Sequence, residues 1–258
     1  MIGRRTLRRM ARSVSARLEP IAGRWLGPMR AYRQQIRKPR PPGVPLAGRL
    51  ALVRDFPAWQ RSQGRSTLEA GQPWITFEAT RVLRRQMPAD ATVFEYGSGG
   101  STLYLAGRAS ELVSVEHDPT WYAEVRAAVE GRPGVQVVLA EPRPPRDGEA
   151  IVASSSQDFV GLTFEDYVAV VERYPDHHFD LLVVDGRARP SAFFRGEPKV
   201  KLGGLILLDD SERERYGAVV AAARRAGWPE FGRFGPKPFT PWFARTTVWR
   251  KTRDLESA

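Results

Sequence analysis

The sequence predicts an α/β fold: a doubly wound, mostly parallel sheet with helices on both faces, preceded by a basic helical extension. Three observations carry this expectation. An apolar run from Thr92 ends in a glycine-rich turn that reaches Ser101. Strand-like and helix-like stretches then alternate as far as Ala226, the pattern of a parallel sheet covered on both sides. Charge divides the chain as well. Residues 1–50 hold thirteen Arg and Lys against the single acid Glu19, while residues 51–258 hold 27 basic and 28 acidic residues. The net charge of +11 therefore belongs to the extension, and the sequence pI of 10.5 is not by itself the mark of a nucleic-acid enzyme.

In the extension, Leu7, Ala11, Val14, Leu18, Ile21, Trp25, Met29, Tyr32 and Ile36 follow one another at steps of three or four, one face of a helix. Arg4, Arg5, Arg8, Arg9 and Arg12 fall mostly off that face. Pro20 and Pro28 divide the pattern into two or three short helices. A basic amphipathic arm suits an anionic membrane surface, a partner's groove, the domain's own surface, or plain solvation as a partly disordered tail. Lys38 to Pro45 is a stiff proline-rich linker. The expected division is therefore an extension and linker over 1–45 and a globular domain over 46–258.

Leu46 to Gln60 reads as one or two short helices along an edge of the domain, interrupted at Pro57. Thr76 is placed to cap a helix that runs to about Gln86. Strands follow at Thr92–Tyr96, Leu112–Glu116 and Val135–Leu139, with a helix beginning on Pro119 between the last two. Glu141 to Glu149, rich in proline and arginine, reads as a surface loop. A helix over Phe164–Tyr174, strands at Phe179–Asp185 and Gly204–Leu208, and a helix over Glu212–Ala226 complete the alternation. Thr246–Arg250 reads as a last strand. No internal repeat is visible.

The centre of the pattern is Glu95-Tyr96-Gly97-Ser98-Gly99-Gly100-Ser101. Glycines at 97 and 99 let backbone amides approach a ligand closely and tolerate positive φ. The helix that follows turns its amide-rich N-terminus on the same ligand. Glu116 ends the next strand 19 residues after Gly97, the spacing at which a carboxylate meets ribose hydroxyls in doubly wound folds. The dinucleotide fingerprint is broken, because Thr102 stands at its third glycine. An acidic group two residues before the first glycine instead suits a ligand carrying an amine.

In Glu95-x-Gly97-x-Gly99-x-Ser101 the chain resembles the class I S-adenosylmethionine-dependent methyltransferases. The resemblance spans roughly Trp74 to Lys251. It implies a seven-stranded sheet closed by a hairpin with one antiparallel strand. It implies S-adenosylmethionine as cofactor, wrapped by Glu95, Tyr96, Gly97, Ser98, Gly99, Gly100 and Ser101, with its ribose held by Glu116 and its adenine edge near His117. The bland alternative is a glycine-rich turn in some other α/β domain.

Ligands in such sheets lie beyond the carboxyl ends of the strands. Asp185 ends the fourth strand, where it is placed to take a proton from an acceptor hydroxyl or to orient it. Otherwise it is a loop carboxylate paired with Arg187 or Arg189. Arg187 is a candidate to hold an anionic group of the acceptor, or to keep Asp185 ionised. Asp185 with Asp209 and Asp210 also resembles the Mg²⁺-dependent catechol-type O-methyltransferases. Against this, Asp210 and Ala188 replace the amide and the lysine of that pattern. A divalent metal is therefore open but not favoured, and helix capping by Asp210 or Ser211 is preferred. His177 and His178 read as surface residues. The aromatic stretch from Phe231 to Phe243 reads as a substrate lid or as packing of the last strands.

These readings favour O-methylation of a small molecule or glycan. The alternatives are a nucleic-acid methyltransferase using the basic arm, and a non-catalytic cofactor-fold protein that docks on a membrane or complex. No Asn/Asp-Pro-Pro-aromatic motif, the mark of amine methylation, follows the fourth strand. The chain has no cysteine, which removes structural disulfides, cysteine-type zinc sites and cysteine nucleophiles. With no apolar run long enough to span a membrane and no export signal pattern, a cytoplasmic protein is expected, with peripheral membrane contact through the arm.

Overall fold

The computed structural model of the chain describes residues 26–255. It falls into two units, residues 1–40 and 41–258. In the first unit residues 26–37 are helical, Pro28 included, so Met29, Tyr32 and Ile36 of the apolar stripe lie on a helix. The rest of that stripe and the N-terminal arginines lie outside the described residues.

The second unit opens with α1 (Arg49–Ser62), α2 (Thr67–Ala70) and α3 (Phe77–Gln86). Helix α1 is a single continuous helix, one of the two arrangements expected, but Pro57 lies inside it without interrupting it. Proline at 57 removes the amide that would bond the carbonyl of Val53. Val53 is 75% exposed, so water can satisfy that carbonyl. The Thr76 hydroxyl accepts from Ala79 N and starts α3 where the sequence placed it.

The α/β alternation follows: β1 (Ala91–Tyr96), α4 (Gly100–Ala106), β2 (Ala109–Glu116), α5 (Pro119–Ala128), β3 (Val135–Leu139), α6 (Glu165–Ala169), β4 (Phe179–Val184), α7 (Arg189–Gly196), β5 (Val200–Leu208) and α8 (Gly217–Arg225). The chain ends through β6 (Glu230–Phe231), β7 (Phe234–Pro236), β8 (Phe243–Arg245) and β9 (Thr247–Arg250). Seven of these strands form one sheet in the order β3-β2-β1-β4-β5-β9-β6. The β1–β5 pairings are parallel, and β9 enters antiparallel to both β5 and β6. This is the doubly wound, mostly parallel seven-stranded sheet with one antiparallel strand that the sequence predicted. β7 and β8 pair separately, and a bridge from Leu46 to Phe234 ties the linker end to them.

Period-two alternation sorts the core. Val93, Leu181, Val183, Leu205 and Leu207 pack on one face with Ala79, Leu83 and Leu105 of α3 and α4. Phe94, Tyr96, Leu182, Val184 and Ile206 pack on the other with residues of α6, α7 and α8. Sequence reasoning missed α7, although Pro190 in its first turn is a helix-start signal. The helix expected from Glu212 begins only at Gly217, after a 3₁₀ turn at Glu214–Tyr216. Among the described residues no helix is long and apolar enough to cross a membrane.

Candidate active site

Doubly wound sheets open a crevice where the strand order reverses, here between β1 and β4. A cleft of about 790 Å³ lies there, beyond the carboxyl ends of the strands. Gly97 follows β1 with φ of +95°. A Cβ there would meet the Gly186 backbone at 2.6 Å, so the turns after β1 and β4 touch only because both residues are glycine. Gly100 is required for a different reason. Its Cβ would come within 2.4 Å of the backbone carbonyls of Thr67 and Gln72, where α2 closes over α4. At Gly99 the nearest atoms belong to the Trp121 ring, at ordinary contact distance.

Gly97, Ser98, Gly99, Gly100, Ser101, Glu116, His117, Asp185 and Arg187 all line this cleft, brought together from three separate segments. Glu95 and Tyr96 do not reach it. Successive strand residues point to opposite faces, and both faces of β1 are covered. Tyr96 enters the α6 side and donates to Val168 O at 2.7 Å. Glu95 enters the α4 side and is fully buried. Its Oε2 accepts from Thr102 and from Ser114, each at 2.6 Å; Ser114 is its register partner on β2. Gly99 N in turn donates to Thr102 Oγ1, so the Glu95 carboxylate anchors the glycine loop from behind. Glu95 Oε1 has no hydrogen-bond partner. Burial raises this carboxyl's pKa, against the hydroxyl groups that lower it.

Glu116 is at the cleft wall and holds three backbone amides. Its Oε2 accepts from Ser98 N, and Oε1 from His117 N and Asp118 N. His117 Nδ1 stands 2.6 Å from Glu116 Oε1, and His117 Nε2 accepts from Arg187 Nε at 3.2 Å. Arg187 can only donate, so the Nε2 contact uses the ring's lone pair and Nδ1 is the nitrogen that faces the Glu116 carboxylate. Arg187 also covers the Phe159 ring, and it is Arg189 that pairs with Asp185, at 2.9 Å. The turn at Ala188, in the left-handed region with φ of +47°, brings Arg189 back onto the end of β4.

The end of β5 carries the remaining charge. Lys237 Nζ donates to Asp209 Oδ2 and Asp210 Oδ1. Arg213 and Arg189 also pair with Asp210, and Thr246 Oγ1 donates to Asp209 Oδ1. Burial pushes Asp209 up, but the charges of Lys237 and Arg189 and the bonds to Lys237 and Thr246 outweigh it and leave its pKa lowered. Asp185 moves the other way. Burial and the Asp209 charge raise it well above the usual carboxylate range, against Arg189 and Lys237.

A divalent metal does not fit this set. Each of Asp185, Asp209 and Asp210 already faces a cation supplied by the chain, and Lys237 bridges the last two, where a metal ion would have to sit. Removing one member of such a buried pair typically costs about 3–5 kcal/mol. Among the described residues no group of three or more His, Asp and Glu is arranged to hold a metal. Neither Asp210 nor Ser211 caps a helix. Asp210 is spent on the cations, and the Ser211 hydroxyl bonds Arg245 O and Thr247.

Sequence reasoning missed Arg213, Trp74 and Trp121 as cleft residues and reached Lys237 only as part of the aromatic stretch read as a lid. Trp121 donates its indole N–H to Ser98 O and braces the glycine loop, and Lys237 Nζ lies 5.5 Å from the Trp74 ring centroid. The aromatic C-terminal segment divides: Phe234 and Phe243 pack on each other, while Lys237 and the half-exposed Trp242 line the cleft. His177 and His178 sit away from the cleft, paired with Asp254 and Glu111.

No protein-family model and no curated protein matches this chain. Solved structures similar to it include a methyltransferase-like protein from Silicibacter pomeroyi, 23% identical with a TM-score of 0.44 over 69% of this chain and 88% of that one. An O-methyltransferase from Bacillus cereus in complex with SAH is 18% identical, with a TM-score of 0.47 over 80% and 92%. An rRNA methylase from Streptococcus thermophilus is 9% identical, with a TM-score of 0.47 over 68% and 95%.

Proposed function

We propose that the chain is an S-adenosylmethionine-dependent methyltransferase that methylates an oxygen of a small-molecule or glycan acceptor. The observation that carries this reading is the cleft at the β1/β4 crossing. Gly97 and Gly186 there keep the floor free of side chains, and Glu116, which we assign to the ribose, lines the same space as Asp185. The cradle fits the cofactor: a Cβ at Gly97 would close the floor, and the Glu116 carboxylate is already oriented by three amides.

When bound, S-adenosylmethionine supplies an electrophilic methyl group on a sulfonium. Were the cofactor bound, its methyl would pass to the acceptor oxygen with the sulfonium sulfur as leaving group. The hydroxyl proton passes to Asp185. Arg189 holds that carboxylate in one orientation, and Lys237 with Arg189 offsets the negative charge behind it. Holding the reacting atoms about 3–3.5 Å apart supplies most of the rate, which is why so few side chains take part.

Calorimetric titration with SAH tests the assignment. The wild-type chain binds, and Glu116→Ala weakens binding by about 10–100-fold, the worth of a hydrogen bond to a charged group. Unchanged affinity in a folded Glu116→Ala protein overturns it.

A further inference from the structure

Beside the main cleft lies a second cavity of about 270 Å³. Arg187, Arg189, Arg213 and Arg215 line it, together with Ser154 and Ser155, and no carboxylate does. It shares Gly186, Arg187, Arg189 and Arg213 with the cleft, so one molecule can occupy both. Two of the arginines are partly neutralised, Arg189 by Asp185 and Arg213 by Asp210. Arg187 and Arg215 have no ion pair among the described residues. Their guanidinium groups lie over the rings of Phe159 and Tyr216, at 5.2 and 5.8 Å from the centroids. A guanidinium stacked by its face keeps its N–H edge available for an oxyanion.

We propose that this cavity is a phosphate subsite: the acceptor methylated in the adjoining cleft is a small molecule that carries a phosphate group, held here by Arg187 and Arg215. The inference rests on the methyltransferase reading for the word acceptor. The charge count favours a dianion, because two guanidinium groups lack an anionic partner and two serine hydroxyls add neutral donors. The volume suits one such group. A nucleic-acid strand is tracked instead by an open groove that meets several phosphates in succession.

The test is ³¹P NMR titration of phenyl phosphate into the full chain, with SAH titrated in parallel by calorimetry. Arg215 is exposed and lines only the side cavity, so its replacement leaves the fold and the SAH site intact. Phenyl phosphate is expected to bind the wild-type chain, with affinity falling about tenfold in Arg215→Ala and further in Arg215→Glu, while SAH affinity stays unchanged. Equal binding by wild type and Arg215→Glu would assign the phosphate to the basic residues 1–50 and overturn the proposal. So would tighter binding of benzoate than of phenyl phosphate, or displacement of the probe by a short oligonucleotide that binds more tightly through Arg215. Absence of phenyl phosphate binding to the SAH-loaded chain overturns the subsite and leaves the methyltransferase reading standing. Arg215-dependent phosphate binding in a chain that ignores SAH supports the subsite and sinks that reading.

Discussion

Asp185 shows how one residue's surroundings set its chemistry. Its backbone is fixed by the end of β4, with its amide on Tyr96 O. One carboxylate oxygen rests on Arg189, and Asp209 sits behind it. Burial and that second carboxylate push its pKa well up, so it is a stronger base than an ordinary carboxylate once ionised. Methyl transfer is expected to rise with pH through this elevated pKa. Asp185→Asn should keep SAH affinity, lose about 10²-fold or more in rate, the low end of general-base effects, and flatten that limb of the profile. The stability sign follows from the same shift. For an acid whose pKa is raised by folding, stability is full below the unfolded pKa and is lost as pH rises through the folded one. Relative to wild type, the melting temperature of Asp185→Asn should therefore shift in the variant's favour as pH rises above the ordinary carboxylate range. A variant with wild-type rates would make Asp185 a structural residue. The carboxylate itself was legible in the sequence, because it closes an apolar strand. Its environment was not: Arg189, Asp209 and Lys237 lie 4, 24 and 52 positions further on, and only the folded sheet brings them together.

At the scale of elements, the turn between β1 and α4 separates what a motif reveals from what it hides. The glycines announced the turn, but not which of them each neighbour demands. Gly97 answers to the turn after β4, and Gly100 to α2, a four-residue helix too short to show an apolar period. Gly100→Ala should destabilise the fold by about 1–3 kcal/mol, because a Cβ must displace two backbone carbonyls. Gly107→Ala, with nothing closer than 3.8 Å to its Cβ, serves as the control. Thermal or urea unfolding measures both, and equal stability of the two variants would refute the packing argument. Glu95 was misplaced for a related reason. Alternation along β1 assigns its side chain a face, yet only the fold shows that α4 and Thr102 seal that face from the cleft. The strand positions themselves were well marked, since apolar runs bounded by turn residues record burial directly. Helix α7 was not, because Arg189 to Gly196 carries only a short apolar face.

Over the whole molecule, composition located the basic excess in the first fifty residues, and the contacts that follow it show where the chain joins the sheet. Pro45 O accepts from Phe234 N, and Ala47 N donates to Phe234 O, so the end of the proline-rich stretch is woven into the β7–β8 pair. A cut before Pro41 keeps this end of the linker with the folded unit. A chain starting at Pro41 should melt within about 2–4 °C of the full chain, less than about 1 kcal/mol at this size, and keep its SAH affinity. It should also lose binding to anionic lipid vesicles, read by co-sedimentation, if residues 1–40 act as a membrane arm. A large fall in melting temperature would show that those residues support the core. One feature of the sheet also governs how the chain is made. β9 is the last strand in sequence, yet it lies inside the sheet between β5 and β6. Thirty-eight residues separate Leu208 from Thr247, so during synthesis at about 5–20 residues per second the edge of β5 waits about 2–8 s for its partner. Through that interval the nascent chain presents an apolar, unpaired strand edge, the kind of surface that invites intermolecular pairing. A shield over β5 is therefore needed during synthesis until β9 has emerged to pair with it.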